Sequence, residues 1–170
     1  MRNTMLKMAV GAVSLSLGLV ALPQIAQASK TVTTVPTALR GTWYQRESGW
    51  TYKYVFNKKS VKMTSTFKGK SMGTIKTKLT KNLKYTTQPK TVLLQKQGHG
   101  WYGMSLNNAN GITEMKRATY KIKGKKYQSL YLQSMSGASM TPKKMKVGVA
   151  FHKNFNHVYT RSVSTKGMLK

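Results

Sequence analysis

An alternation of apolar and polar side chains with a period of two constrains the fold of this chain more than any other feature. Successive side chains of a β-strand point to opposite faces of a sheet, so this period predicts strands with one apolar face. In the first such segment Trp50, Tyr52, Tyr54 and Phe56 share a face. In the segments that follow, the lysines fall opposite the apolar residues; these segments are residues 60–67, 74–79 and 144–152. The alternation therefore predicts sheets with apolar inner faces and basic outer faces.

Five further segments also have the character of strands, and short turns rich in Gly, Asn and Lys separate them. Eight to ten short strands in sequence predict either an antiparallel barrel or a sandwich. We expect an all-β fold in the form of a single antiparallel up-and-down barrel over residues 37–170. An outer-membrane barrel is disfavoured, because its outer positions face lipid, where lysine is costly. The five segments are residues 91–96, 101–106, 112–122, 127–133 and 157–163.

Residues 1–28 have the three parts of a secretory signal peptide. Arg2 and Lys7 give a positive start, and residues 8–22 form an uncharged stretch of 15 residues. A permanent membrane-spanning helix needs about 20 apolar residues, so an uncleaved anchor is the weaker alternative. Small residues at the end of this segment fit a peptidase that cleaves after residue 28. The sequence therefore predicts a secreted, extracellular protein in which residues 29–36 form a polar tether.

The charge of the chain is strongly one-sided. There are 30 Lys and Arg residues but only two acids, Glu47 and Glu114, and loss of Arg2 and Lys7 with the signal lowers the formal net charge from +28 to +26. Such self-repulsion lowers the stability of a compact state, and an anionic partner relieves it. Only five of the basic residues are Arg, which favours diffuse attraction over bidentate recognition. A solvated coat of lysines is the alternative interpretation.

Cysteine is absent, and this limits both the stability and the chemistry of the chain. An exported chain without cysteine has no disulfide framework, so its apolar core has to hold it together. The same absence removes a thiol nucleophile and a lipoprotein attachment site. Retention at the cell surface would therefore be noncovalent.

Basic residues are concentrated in the predicted turns and at the start of one strand. Hairpin turns at one end of a barrel would bring these charges together, a layout that suits a phosphate-rich polymer. A coat spread over the whole outside fits the period-two lysines as well. Nucleic acid would bind only nonspecifically, through charge. The candidate polyanion-binding residues are Lys58, Lys59, Lys68, Lys70, Lys123, Lys125, Lys126, Lys143, Lys144 and Lys146.

A G-x-W motif, Gly41-Thr42-Trp43, stands ahead of the run of strands. It resembles the start of the first strand in lipocalins and related calycins. The resemblance implies that Trp43 plugs the closed end of the barrel and that Arg161 lies over its indole through a cation–π contact. The second lipocalin signature requires an Asp, which this chain lacks, so the resemblance bears on architecture rather than on ligand carriage. The same opening is also similar to small exported, lysine-rich proteins of lactic-acid bacteria.

The residue types that common catalytic sites need are scarce in this chain. Hydrolysis of glycosides by acid and base needs two carboxyl groups, and Glu47 and Glu114 are the only side-chain carboxyls present. A Ser-His-Asp triad lacks its Asp, and no G-x-S-x-G elbow or phosphate-cradling loop occurs. His99, His152 and His157 are predicted to be isolated surface residues rather than zinc ligands. We expect no enzymatic activity, no cofactor and no metal.

These features lead to three functional hypotheses. The leading one is a secreted, monomeric, noncatalytic barrel that associates electrostatically with an anionic cell-envelope polymer, such as a wall polymer, or with lipid headgroups at a membrane surface. The first alternative is a lipocalin-like carrier of a small apolar ligand, which needs a cavity beside Trp50, Tyr52, Tyr54 and Phe56. The second alternative is cationic antimicrobial action on competing membranes.

Overall fold

The computed structural model describes residues 30–108, 111–136 and 143–168. The predicted signal peptide and Ser29 lie outside the described residues. Within the described residues the chain forms eleven β-strands and two 3-10 helices, and none of these helices is long and apolar enough to cross a membrane. The elements are β1 (Lys30–Thr31), η1 (Thr37–Leu39), β2 (Gly41–Glu47), β3 (Trp50–Asn57), β4 (Ser60–Phe67), β5 (Lys70–Thr80), β6 (Thr91–Lys96), η2 (Gly98–Gly100), β7 (Trp101–Leu106), β8 (Gly111–Ile122), β9 (Lys125–Ser136), β10 (Lys144–Phe151) and β11 (Thr160–Ser164).

Nine of the strands, β2 to β10, form one closed barrel. Each strand pairs with the next one along the chain, and β10 returns to pair with β2. The two remaining strands are added at the edges, β1 beside β6 and β11 beside β10. The prediction of an all-β, up-and-down barrel of eight to ten strands is therefore confirmed.

The odd number of strands has a geometric consequence. Neighbours around a closed ring can alternate in direction only when their number is even, so a ring of nine contains at least one parallel pair. That pair is β5 and β6, in which Lys78 lies beside Thr91. Residues 81–90 connect the two strands, and the buried Asn107 fixes the end of this connection. Its Oδ1 accepts hydrogen bonds from the backbone N–H groups of Lys90 and Thr91 at 2.9 and 3.1 Å.

The interior of the barrel is an apolar core to which β3 contributes a ladder of aromatic rings. The rings of Trp50, Tyr52, Tyr54 and Phe56 follow one another with centroids 5.8, 6.4 and 6.3 Å apart. Gln45 of β2 is buried beside them and accepts a hydrogen bond from the Tyr54 hydroxyl at 3.4 Å. The buried residues of this core are Val35, Leu39, Trp43, Tyr54, Phe56, Val61, Val92, Leu94, Met104, Met115, Leu130, Leu132 and Ala150.

The segment predicted to be a tether is instead part of the folded barrel. β1 pairs with β6, and the N–H of Val32 donates to the Leu94 carbonyl at 2.9 Å. Val35 is fully buried, and its N–H donates to the Lys58 carbonyl at 2.9 Å. The two valines explain the difference, because burial of their side chains removes apolar surface from water. Residues 30–36 therefore pack against the end of the barrel at which the β3–β4 turn lies.

A second apolar core lies on the outer face of the wall formed by β8, β9 and β10. On β9, Leu130 and Leu132 belong to the interior core, whereas Tyr131 between them points to the outside. On β10, Ala150 faces inward and Phe151 outward. The expectation of a basic outer face therefore fails for this wall, because the segment after β10 covers it. The second core contains Trp101, Tyr131, Val147, Val149, Phe151 and Met168, with Ala118, Tyr120, Ile122, Tyr127, Met145, Phe155, Tyr159 and Val163 packed against it.

Truncation of Phe151 is expected to show that the second core is essential to the fold. Its ring contacts those of Phe155, Tyr159 and Tyr120 edge-on, at 5.0, 5.2 and 5.8 Å between centroids. Phe151→Ala should lower the free energy of unfolding by about 3–5 kcal/mol, measured by urea denaturation. Val158→Ala, at a side chain that is 53% exposed, is the control and should change it by less than about 0.5 kcal/mol. Equal effects of the two substitutions would contradict a second core.

The tyrosines of the barrel interior should make the fold sensitive to alkali. Burial raises the pKa of Tyr54, and the neighbouring Tyr52 and Glu47 raise it further. Burial also raises the pKa of Tyr52. In the unfolded chain a tyrosine loses its proton near pH 10. Above that pH the unfolded state binds fewer protons than the folded state, so stability falls as pH rises.

The alkaline loss can be assigned to Tyr54 by substitution. Tyr54→Phe cannot ionise, so its unfolding free energy should fall less steeply than that of the parent between pH 9 and 11. Tyr85→Phe is the matched control, because Tyr85 is 76% exposed, and its profile should follow the parent. Lysine titration affects all three proteins alike and cancels in the comparison. A Tyr54→Phe profile parallel to the parent would exclude this tyrosine as the cause.

Candidate functional site

Strand direction decides which of the predicted basic turns lie together. Successive turns of the meander alternate between the two ends of the barrel. The β3–β4 and β8–β9 turns therefore lie at one end, and the β4–β5 turn and the start of β10 lie at the other. All ten predicted lysines are exposed, but they are divided between the ends instead of meeting at one. Lys58, Lys59, Lys123, Lys125 and Lys126 lie towards the first end, and Lys68, Lys70, Lys143, Lys144 and Lys146 towards the second.

A compact group of lysines lies instead on the barrel wall. We use the term lysine face for the outer surface of β3, β4 and β5, which carries Lys53, Lys62, Lys76 and Lys78, all exposed. Lys62 lies directly opposite Lys76 across the β4–β5 pair. Lys53 and Lys78 occupy diagonal positions to Lys62, at roughly 7–8 Å by the geometry of paired strands. Lys62 is therefore surrounded by three other lysines.

The lysine face carries an electrostatic cost that the chain itself does not relieve. Directly opposite side chains have Cβ atoms about 4.5–5.5 Å apart, and like charges in such pairs destabilise a sheet. Neither acid lies on this face: Glu47 is at the end of β2, on the inward-facing side of that strand, and Glu114 is fully buried on the outer wall at β8. A bound anion that lies between Lys62 and Lys76 would remove this repulsion.

Hydroxyl groups fill the spaces between the lysines. Thr64 and Thr74 lie opposite each other beside Lys53, with 3.0 Å between their Oγ1 atoms. Hydroxyls can donate to phosphate oxygens while ammonium groups supply the charge. Among the described residues the large exposed hydrophobic side chains are Tyr85 and Val158, and neither is on the lysine face. This surface is therefore positive and carries hydroxyls, and Val55, the outward apolar neighbour of Lys62, is half-buried.

Trp43 is fully buried, and its indole Nε1 donates to the Leu39 carbonyl of η1 at 2.8 Å. The guanidinium that lies over its ring is that of Arg117, at 4.6 Å from the centroid. The prediction of Arg161 in this place is wrong. Arg161 lies on β11 opposite Val147, exposed on the side of the second core, where its charge lowers the pKa of Tyr131 against the larger raising effect of burial.

Arg117 is held by a small polar network beside Trp43. The His152 ring stacks on Trp43 with centroids 3.7 Å apart, and its Nδ1 donates to the Thr42 carbonyl at 2.7 Å. Arg117 donates to His152 Nε2 at 3.4 Å and to the Gln128 side chain. Burial lowers the pKa of Arg117. The G-x-W motif therefore organises a structural cluster around Trp43. The cation of this cluster comes from β8, whereas the resemblance implied one near the last strand.

The remaining candidate residues for chemistry are dispersed. Strands β9 and β10 separate Glu47 on β2 from Glu114 on β8, so the two carboxyls do not flank a common cleft. The Oε1 of Glu114 accepts a hydrogen bond from Gln97 Nε2 at 2.9 Å. In the described part of the chain no three His, Asp or Glu side chains are close enough to hold a metal ion. His157 packs edge-on against Tyr159 at 6.3 Å between centroids.

Two shallow clefts lie at the surface of the described chain. Each has a volume of about 240 Å³; one lies beside Trp101 and Lys116 and the other beside Lys59 and Leu79.

Comparison with protein-family models, curated proteins and solved structures finds no match for this chain. The possible chemistry of these surfaces therefore has to be argued from their geometry.

Replacement of Arg117 is expected to destabilise the barrel, because its guanidinium lies over Trp43 and donates to His152. Arg117→Met should lower the free energy of unfolding by about 1–3 kcal/mol, measured by urea denaturation with tryptophan fluorescence. Arg161→Met removes the same charge from an exposed position and should change it by less than about 0.5 kcal/mol. A larger effect of Arg161→Met than of Arg117→Met would contradict the stabilising role given to Arg117.

Proposed function

We propose that the mature chain is a secreted, noncatalytic protein that associates with an anionic polymer of the cell envelope through its lysine face. The observation that carries the proposal is the pair Lys62 and Lys76, held opposite each other with Lys53 and Lys78 beside them and no acid on the same face. Such an arrangement lowers stability in the free protein. It becomes favourable once phosphates lie among the four ammonium groups.

A polymer fits the lysine face better than a lipid surface does. Proteins that bind at a membrane interface combine basic residues with aromatic or aliphatic side chains that enter the headgroup region. The outer side of β3 to β5 offers threonines between its lysines instead. Lysine attracts phosphate as a point charge and needs no fixed orientation, which suits a flexible chain of repeating phosphates such as teichoic acid. The same lack of apolar anchors gives the antimicrobial alternative less support.

The carrier alternative has less support for a different reason. A small-molecule pocket typically has about 300–1,000 Å³ of space lined mainly by apolar side chains. The inward positions of β2 and β3 hold Trp43, Gln45, Tyr54 and Phe56, all buried. The interior therefore offers packing rather than space.

Loss of the opposed lysine pair should weaken polymer binding and reduce its dependence on salt. For Lys62→Gln combined with Lys76→Gln, the slope of log Kd against log salt concentration for teichoic acid should fall by about 1.5, because two phosphate contacts are lost. The free protein should gain stability, on the order of 0.2–1 kcal/mol, because the like-charge pair is gone. Binding by titration calorimetry at several salt concentrations and urea denaturation measure the two effects.

The matched control is a second opposed pair of lysines. Lys121 and Lys126 face each other near the tip of the β8–β9 hairpin, so Lys121→Gln combined with Lys126→Gln removes the same charge elsewhere. This double variant should keep the parent's slope to within about 0.5. Equal losses in both variants would mean that charge acts as a diffuse coat and would contradict the lysine face.

Molar salt should also release the parent protein from cells and raise its Tm, and retention at molar salt would contradict the proposal.

A further inference from the structure

The cleft beside Trp101 lies on the opposite wall of the barrel from the lysine face. Its floor is formed by the buried rings of Trp101 and Tyr131, which belong to the second core. Its rim carries His99, Lys116 and Lys166 together with the hydroxyl of Ser164. The volume of about 240 Å³ lies below the range of about 300–1,000 Å³ typical of drug-sized ligands. The cleft therefore suits a small molecule.

Three basic side chains reach this rim from three separate parts of the chain. His99 belongs to η2, Lys116 to β8, and Lys166 to the segment after β11. The Nζ of Lys116 lies 5.7 Å from the centroid of the Trp101 ring, above the floor. The described residues that line the cleft include no acid. Convergence of two lysines and a histidine on a partly apolar floor favours an anion that is attached to a small carbon body.

A close backbone contact fixes the rim. Gly167 has a φ of +87°, and a Cβ at this position would lie 2.6 Å from the Gly98 carbonyl oxygen and 2.8 Å from the His99 ring. The two turns therefore approach each other at a distance that only glycine permits. His99 itself has a φ of 55°, in the left-handed region that few residues other than glycine occupy. The two turns that carry His99 and Lys166 are thus held at the same edge of the cleft by their backbone packing.

We propose that this cleft binds the phosphate monoester of a small organic alcohol. A phosphate monoester offers three terminal oxygens, which can accept hydrogen bonds from Lys116, Lys166 and the Ser164 hydroxyl on different sides. Its carbon body can lie on the edges of Trp101 and Tyr131. This site is separate from the lysine face and does not depend on the polymer function, because the two occupy opposite walls.

The test is an NMR titration of the mature protein at constant ionic strength, with glycerol 3-phosphate, inorganic phosphate and sulfate as probes. Glycerol 3-phosphate should cause saturable shifts at the amides of His99, Trp101 and Lys116, and it should bind more tightly than the other two anions. Equal affinity for sulfate or for inorganic phosphate would overturn the assignment to a monoester. Shifts that do not saturate would overturn the site.

Three variants separate a built site from general charge. Lys166→Gln removes one exposed ammonium group and should weaken glycerol 3-phosphate binding about tenfold, as expected for loss of one charged hydrogen bond. Lys62→Gln removes the same charge from the lysine face and should leave the affinity unchanged. Gly167→Ala keeps every charge but forces the two turns apart, so it should weaken binding by at least as much as Lys166→Gln. Equal affinities for Lys166→Gln and Lys62→Gln, or parent affinity for Gly167→Ala, would overturn the proposal.

Discussion

Closure of the ring between β2 and β10 is the constraint on which the rest of the structure depends. Among the described residues a single register pair joins these strands, Tyr44 opposite Phe151, because the first part of β10 pairs with β11. Hydrogen bonds from side chains add to this short backbone pairing. Arg46 donates to the Phe155 carbonyl at 2.8 Å, and His152 donates to a backbone carbonyl of β2. Packing of the segment that follows β10 therefore holds the barrel closed.

This dependence explains how one small barrel carries two different outer walls. The segment after β10 has to lie against β8, β9 and β10 to secure the seam, so that wall becomes a second apolar core around Phe151. No segment among the described residues covers the wall of β3 to β5, and its lysines are exposed. The opposed Lys62 and Lys76 are thus on strands that take no part in the β2–β10 seam. The apolar cover and the lysine face therefore occupy separate walls.

The sequence predicted the strands well, because a period of two is a local property. Residues 91–96 and 101–106 coincide with β6 and β7. It could not predict register across the ladder. A bulge between Ser65 and Thr66 shifts the β4–β5 pairing by one residue, and only this shift brings Lys62 opposite Lys76 instead of Ile75. The basic turns were found but not their division between the two ends, because that division follows from the direction of each strand.

A periodic pattern in the sequence also cannot predict contacts between distant parts of the chain. The cation over Trp43 lies far away in sequence, and which face of β8 carries Arg117 depends on register as well. The approach of Gly98 to Gly167 leaves no periodic trace. The positive φ of Gly167 follows from the packing of the two turns against each other, which the sequence alone does not show.

The parallel pair has a further consequence, for the order in which the molecule can assemble. β2 to β5 and β6 to β10 are two runs of hairpins, in which each strand meets a partner close to it in sequence. The parallel β5–β6 contact and the β2–β10 seam join these two half-shells, and the seam brings together residues more than a hundred positions apart. Closing so long a loop loses chain entropy before the stabilising contacts can form, so non-local pairing is slow. Ring closure at the seam is therefore the pairing of the barrel that carries the largest loop-closure cost.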